Sequence, residues 1–501
     1  MTGYIIMAVL AVVFLTISTV IANKFSGEGV DDFVAGGRRL PIGLVTSSVM
    51  VSWVWAMTIM GSAEQGMTLG ISGGVNYAWG SMLPFFIFIP LVMCIRKKMP
   101  KCTTFVEFIR VRYGETLSLI FVLFAFLLTL YILLSQGIGL GVVFHTIFGM
   151  PYKIAAAIPI LIVALYIANA GLKGSIVNDF IMFIVISLIL ICTVPIILKH
   201  FGMDAIYQGM LDAATNTANN NYNPDALNPV SMPGLNYGII CVIVCMGQIL
   251  LDQGYYSKAV STANSKSLLF AYIMGTVFAW MPIPLLCGNV FGGAGLSMNL
   301  ADGVLSSTSD IAPYIYKVVF GGGAGSILFV LMIFMAGLST GGDILAGAQA
   351  ICTVDIYKKY IKKDATEAEQ KRFGKIMTVV IGVIMAIVVM FFEGKSMVTL
   401  DIFSGIIFAA PCATFVMGAF WKKISPMVAT ASVFAGVFAG VLAYFTLGFT
   451  GMNDVIGNLC SLLVPIVVNV IGGLTSSYEF DYNKLKEYEP DHKVTLSLEN
   501  A

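Results

Sequence analysis

The chain has 501 residues, of which 58% are hydrophobic and only 11% are charged, and its formal net charge is +1. Soluble domains carry roughly a quarter charged residues, and the mean hydropathy here is +0.90. So apolar a chain excludes a soluble enzyme, a secreted disulfide scaffold and a nucleic-acid binder, and points to an all-α membrane protein that crosses the bilayer many times.

Apolar runs of helical length fall at 3–22, 41–62, 74–95, 118–147, 153–170, 175–198, 237–256, 267–291, 322–351, 376–392, 398–420, 427–447 and 454–472. A span needs roughly 20 apolar residues, so these read as about 13 transmembrane helices. The first run has no basic residue ahead of it and is long for a signal peptide, so 1–22 reads as a retained extra span. The organisation expected is that N-terminal helix, a first group of five spans over 41–198, a second over 237–420, two C-terminal helices over 427–472, and a polar, mobile cytoplasmic tail over 473–501. Of the 28 Lys and Arg, all but Lys153, Lys199, Lys317 and Lys395 fall on one side if the N-terminus is outside. The positive-inside rule then puts the N-terminus outside and the C-terminus in the cytoplasm. On this reading no basic residue sits deep in the membrane.

Two of the runs look interrupted. One is Val49 to Thr58, dense in β-branched and aromatic residues of lower helix propensity. The other is Gly247-Gln248-Ile249-Leu250-Leu251-Asp252-Gln253-Gly254, which carries an acid, two amides and two glycines. Irregular backbone at membrane depth is tolerated only around a cavity or site. Each segment opens a five-span group. Because five is odd, the second group starts on the opposite side of the membrane, giving two inverted five-helix repeats with broken first and sixth core helices. Asp179, Asp252 and Asp343 lie inside expected spans, where acids are costly and normally face a cavity. The nine cysteines form no CxxC or Cys/His spacing, and the acids are not spaced as in an intramembrane protease. No enzyme and no cofactor is expected.

Several stretches carry a resemblance. Gly337-Leu338-Ser339-Thr340 through Thr353-Val354-Asp355-Ile356-Tyr357-Lys358 resembles the eighth core helix of the sodium:solute symporter family. Gly171-Leu172-Lys173 with Asp179 resembles the start of its fifth. Phe403-Ser404-Gly405 through Ala409-Pro411, then Gly418 to Lys423, resembles its tenth. Ala35 to Pro41 resembles the entry to its first. The resemblance implies the leucine-transporter fold and a sodium ion, the coupling ion, held between the first and eighth core helices. Its ligands would be the carbonyls of Val51, Val54 and Ala336 and the hydroxyls of Ser339 and Thr340. Hard oxygens and the negative ends of half-helices suit sodium. Taken alone, the two hydroxyls would read as ordinary helix-packing groups. Asp179 and Asp343 would line the ion's path to the cytoplasm.

Asp252-Gln253-Gly254-Tyr255 with Lys258-Ala259, Ala279 to Pro284, and the Trp53/Trp55 pair resemble the urea-transporter branch of that family. Gly254, where sugar carriers have a tyrosine, counts against a sugar. The resemblance implies sodium-coupled symport, by alternating access, of a small polar solute such as urea or a small amine. Trp53, Trp55, Thr58, Trp79, Gln136, Gln248, Asp252 and Gln253 are the candidate solute contacts. The alternatives are symport of a monocarboxylate or amino acid, or a non-transporting sensor or channel of the same fold. The expected partners are sodium, the solute and the lipid bilayer, with no nucleic acid and no obligatory protein partner. The expected location is the plasma (inner) membrane, as a multi-pass protein.

Overall fold

A computed structural model describes residues 2–25, 29–446 and 452–494. The described chain is helical nearly throughout, and its one extended pairing is an isolated parallel bridge between Leu40 and Thr262. Ten helices are long and apolar enough to cross a bilayer, and the bent pair Ile42–Ser52 and Ala56–Leu69 makes an eleventh. Two shorter apolar helices, Thr2–Ile17 and Tyr152–Ala168, fall where the first and fifth runs were expected. The count of thirteen is reached only if these two are taken as spans.

Both expected breaks are present. The first core helix runs Ile42–Ser52, bends by 48° and resumes at Ala56–Leu69. The sixth runs Met232–Leu250 and resumes at Gln253–Ser261. The backbone groups freed at each break are satisfied locally, as burial demands. Gln136, from the third core helix (Glu115–Phe148), accepts from the Ala56 N–H at 3.0 Å through Oε1. Thr58 Oγ1 accepts from the Trp55 N–H and donates to the Trp53 carbonyl. Asp252 caps the resumed sixth helix by accepting from Gly254 N–H at 2.7 Å.

Small residues let the core helices cross closely. A Cβ on Gly66 would stand 1.9 Å from the Gly288 carbonyl oxygen, so the Ala56–Leu69 and Pro282–Ser297 helices meet backbone to backbone. Gly171 supplies the left-handed joint (φ 59°) at which the long Tyr152–Phe201 helix turns from the fourth core segment into the fifth. The extra N-terminal helix packs mainly on the long Tyr152–Phe201 helix, and its Phe14 reaches Phe334 of the eighth core helix, Ala324–Ile361.

Two expectations are corrected. The polar tail does not hang free as far as residue 494, beyond which it lies outside the described residues. Leu485 is fully buried, Tyr482 donates to the Gly418 carbonyl, Tyr488 donates to Glu107 and His492 meets Thr103. Its scattered aromatics dock although its composition reads as polar. A basic residue also lies deep in the protein, because Lys258 is fully buried between core helices. The apolar run ends near the sixth-helix break, but the helix itself resumes and carries Lys258 inward. Carboxylates from other helices offset a charge that would otherwise be too costly there.

Candidate functional site

Beside the first break lies a small cavity. It is lined by Trp53, Trp55, Met57, Thr58, Tyr77, Ser81, Cys245, Gln248, Trp280 and Asp401. Every one of these residues is buried. Trp53 and Trp55 meet edge to face with centroids 5.3 Å apart, and Trp280 stands 6.0 Å from Trp53. The walls are therefore indole faces, with polar groups at a few points. Asp401 Oδ1 accepts from Tyr131 Oη at 2.5 Å and from Gln248 Nε2 at 2.6 Å. Among the described residues no donor reaches Asp401 Oδ2. Trp53 Nε1 is buried without a hydrogen-bond partner. One donor and one acceptor oxygen on this small aromatic cavity are thus left unpaired.

Of the expected solute contacts, Trp53, Trp55, Thr58 and Gln248 line this cavity. Trp79 lies elsewhere and donates to Asn76. Gln136 and Asp252 satisfy backbone at the two breaks, outside the cavity lining. Gln253 accepts from Phe105 N–H and donates to the Thr103 carbonyl. It thereby fastens the resumed sixth helix to the Phe105–Tyr113 helix. Asp401, Tyr77, Ser81, Cys245 and Trp280 were missed as lining residues. Asp401 had a readable signal, an acid inside the expected 398–420 span.

Of the oxygens expected to hold sodium, the Thr340 hydroxyl and the Val54 carbonyl meet where the first and eighth core helices cross. Thr340 Oγ1 lies 3.1 Å from the Ser52 carbonyl and 3.4 Å from that of Val54, to both of which it donates. Val51 O accepts from Val54 N–H at 2.9 Å. Ala336 is fully buried on the same helix. Ser339 Oγ donates to Asp179 Oδ1 at 2.6 Å, and Ser48 Oγ donates to its Oδ2 at 2.5 Å. This is a set of hard oxygens with one carboxylate at its edge, the chemistry a small hard cation requires. Asp343, one turn further along the eighth helix, pairs with Lys258 Nζ at 2.9 Å.

Polar contacts cluster at both ends of this region. On the expected outer side Glu64 accepts from Thr308, Ser309 and Ser396, tying the first core helix to a short turn and to the start of the tenth core helix, Met397–Phe420. The Asn-rich stretch folds over the same end, with Asn223 donating to the Thr68 carbonyl and Ala226 accepting from Ile71 N–H. On the other side Arg38 pairs with Asp31 at 2.9 Å and donates to Thr103, while Asp355 accepts from Thr104 and pairs with Arg110 at 3.0 Å. Hydrogen bonds and ion pairs thus bridge the helices at both ends of the region that holds the cavity.

A family model described as "Sodium:solute symporter family" matches residues 33–436. The chain is 24% identical over 489 residues to a urea-proton symporter of Oryza sativa subsp. japonica, covering 91% of this chain and 68% of that protein. It is 26% identical over 498 residues to a probable urea active transporter of Schizosaccharomyces pombe, covering 92% and 74%. In fold it matches a Na⁺-coupled sialic acid symporter solved in a substrate-bound outward-open state. That match has a TM-score of 0.75 and 16% identity, over 96% of this chain and 99% of that one.

Proposed function

The chain belongs to the sodium:solute symporter family, and from that premise we propose that it carries urea or a closely related small amide across the membrane together with sodium. The observation that carries this reading is a buried indole N–H without a partner, Trp53 Nε1, on the same small aromatic cavity as the Asp401 carboxylate. Urea is planar. Its carbonyl oxygen would accept from Trp53, one of its amides would donate to Asp401, and its faces would lie on indole. No lysine or arginine lines the cavity, so a monocarboxylate would meet Asp401 with no cation to hold it. The names of the rice and fission-yeast relatives support the same solute.

Sodium would sit among the carbonyls of Val51, Val54 and Ala336 and the hydroxyls of Ser339 and Thr340, steadying the break whose far side forms the solute cavity. Each ligand then strengthens the other, since coupling between two sites is reciprocal. Asp179, bonded to Ser339, would offer the ion its first station on the way to the cytoplasm. One charge crossing 100 mV supplies about 2.3 kcal/mol, and a tenfold sodium gradient adds roughly 1.4 kcal/mol. Together these support on the order of 500-fold accumulation. The lysine and arginine bias favours a plasma (inner) membrane orientation with the N-terminus outside.

A second reading, coupling to protons, draws on the rice relative's name and on the buried carboxylates beside Lys258. Tracer uptake into proteoliposomes separates the two. Urea, acetate, proline and putrescine are compared under an imposed sodium gradient and under an imposed pH gradient. Saturable urea uptake that needs the sodium gradient and is lost in Ser339→Ala/Thr340→Ala is the expected result. Uptake driven by the pH gradient alone would replace sodium with protons. Accumulation of a carboxylate or amino acid with urea unmoved would overturn the solute.

A further inference from the structure

The most unusual group in the core is Lys258. Its side chain is fully buried, and it stands between three helices that frame the ion site. Its ammonium donates to Ser52 Oγ and to the Ser48 carbonyl, both on the first half of the broken first helix. It pairs with Asp343 of the eighth helix at 2.9 Å and lies 4.0 Å from Asp179 Oδ2 of the fifth. The Tyr255 ring centroid is 5.6 Å away on its own helix. Gly254 makes room for this arrangement, since a Cβ there would stand 2.6 Å from Asp343 Oδ2.

We propose that Lys258 is a tethered cation that competes with the coupling ion for Asp179, driving the ion toward the cytoplasm and taking its place at that carboxylate once the site is empty. The inference rests on the reading of Ser339, Thr340 and the first break as the sodium site.

The charge balance points this way. Asp179 and Asp343 face a single ammonium, and Asp252 stands beside Asp343 at Gly254. Asp343 is held at ion-pair distance and Asp343 Oδ2 has no hydrogen-bond partner. Asp179 is held by two hydroxyls and stands just beyond contact with the ammonium. The cluster therefore holds more acids than bases and has room for a further monovalent cation. Asp179 is the carboxylate that touches the sodium site directly, through Ser339. A sodium ion bound there and the Lys258 ammonium would both draw on Asp179, and two like charges so close in a poorly screened interior repel strongly. The flexible four-carbon stem of lysine lets its point charge follow small shifts of the helix that carries it. With sodium bound, the ammonium is left to Asp343. With sodium gone, it closes toward Asp179 and is shared between the two carboxylates, so the empty carrier returns with a cation at the vacated acid. A purely structural ion pair would satisfy Asp343 and leave sodium affinity indifferent to Lys258.

The test is ²²Na⁺ binding to the purified full chain in lipid nanodiscs at fixed pH, for wild type and Lys258→Gln. Solute exchange and net solute uptake are measured in parallel in proteoliposomes. Removing the competing charge should tighten sodium binding on the order of tenfold or more. Exchange, which never returns an empty carrier, should persist, while net uptake falls. Sodium binding seen only in the variant also supports the proposal, because the ammonium then outcompetes the ion in wild type. Lys258→Gln leaves Asp343 unpaired, so Lys258→Gln/Asp343→Asn is the companion variant, expected to bind sodium with intermediate affinity. Wild-type sodium affinity in a folded Lys258→Gln or in the double variant overturns the proposal and leaves the sodium reading standing. Absence of saturable sodium binding in wild type and both variants overturns both together.

Discussion

Replacing Asp401 with asparagine probes the solute site most directly. The carboxylate uses Oδ1 for Tyr131 and Gln248 and keeps Oδ2 free toward the cavity. The substitution keeps the size and shape of the side chain, so the lining should hold its form, but it removes the charge and offers an amide N–H in place of one acceptor oxygen. A hydrogen bond to a charged group contributes about 1.5–3 kcal/mol. At 1.4 kcal/mol per factor of ten, losing one such bond to a solute N–H weakens solute binding roughly 10- to 150-fold. The assay is concentration-dependent urea uptake at saturating sodium, with the half-saturation concentration read separately from the maximal rate. Sodium dependence measured at high urea should stay near wild type, because Asp401 is not among the ion-site oxygens. Tyr131→Phe, which removes a donor to Oδ1 and leaves Oδ2 in place, should have the milder effect. An unchanged half-saturation for urea in Asp401→Asn would refute the assignment of this carboxylate as the solute's acceptor.

Further outcomes follow from other parts of the structure. Glu64→Gln should loosen the outer closure, since it removes the charge that Thr308, Ser309 and Ser396 share. Labelling of cavity-lining Cys245 by an impermeant thiol reagent added outside should then rise by about tenfold, the equivalent of 1.4 kcal/mol, with Cys245→Ser as the blank. Gly66→Ala should destabilise the protein by about 1–3 kcal/mol or more through overpacking, read as a lowered melting temperature in detergent, because its methyl group would collide with the Gly288 carbonyl. Burial holds the His492 imidazole below its ordinary value of 6.5. A released tail therefore takes up a proton more readily than a docked one, so docking is strongest above pH 6.5 and weakens as pH falls below it. Hydrogen-exchange protection across 478–494, taken relative to the intrinsic rate at each pH, should fall between pH 7.5 and 5.5, and His492→Gln should flatten that dependence.

Much of the architecture is written locally. The apolar runs, their lengths and the side on which lysine and arginine accumulate depend only on the cost of placing each residue in lipid, so they can be read along the chain. The two breaks are legible for the same reason, because an acid and amides beside glycines cannot continue an ordinary lipid-facing helix. The pairing of Ser339 and Thr340 with the first break came from resemblance; the structure brings the Thr340 hydroxyl against the Ser52 and Val54 carbonyls and turns that of Ser339 to Asp179.

What the chain could not disclose is which polar groups share a partner across distant segments. Gln136, Asp252 and Gln253 look like solute contacts when polarity inside a span is the only criterion. Folding commits Gln136 Oε1, Asp252 and Gln253 to backbone groups at the breaks and at the Phe105 helix, and leaves the Gln136 amide nitrogen buried without a partner. Asp401 was readable as an acid in a span, yet its role depends on Tyr131 and Gln248 arriving from two other helices. Lys258 shows the limit most clearly. Along the chain it is one more basic residue near a helix end, counted with the cytoplasmic charges. Only the tertiary structure sets Asp343 and Asp179 beside it and lets an ammonium stay buried. Hydropathy is a property of single positions, whereas compensation of a buried charge belongs to residues 79 and 85 positions apart that meet only when the fold is complete.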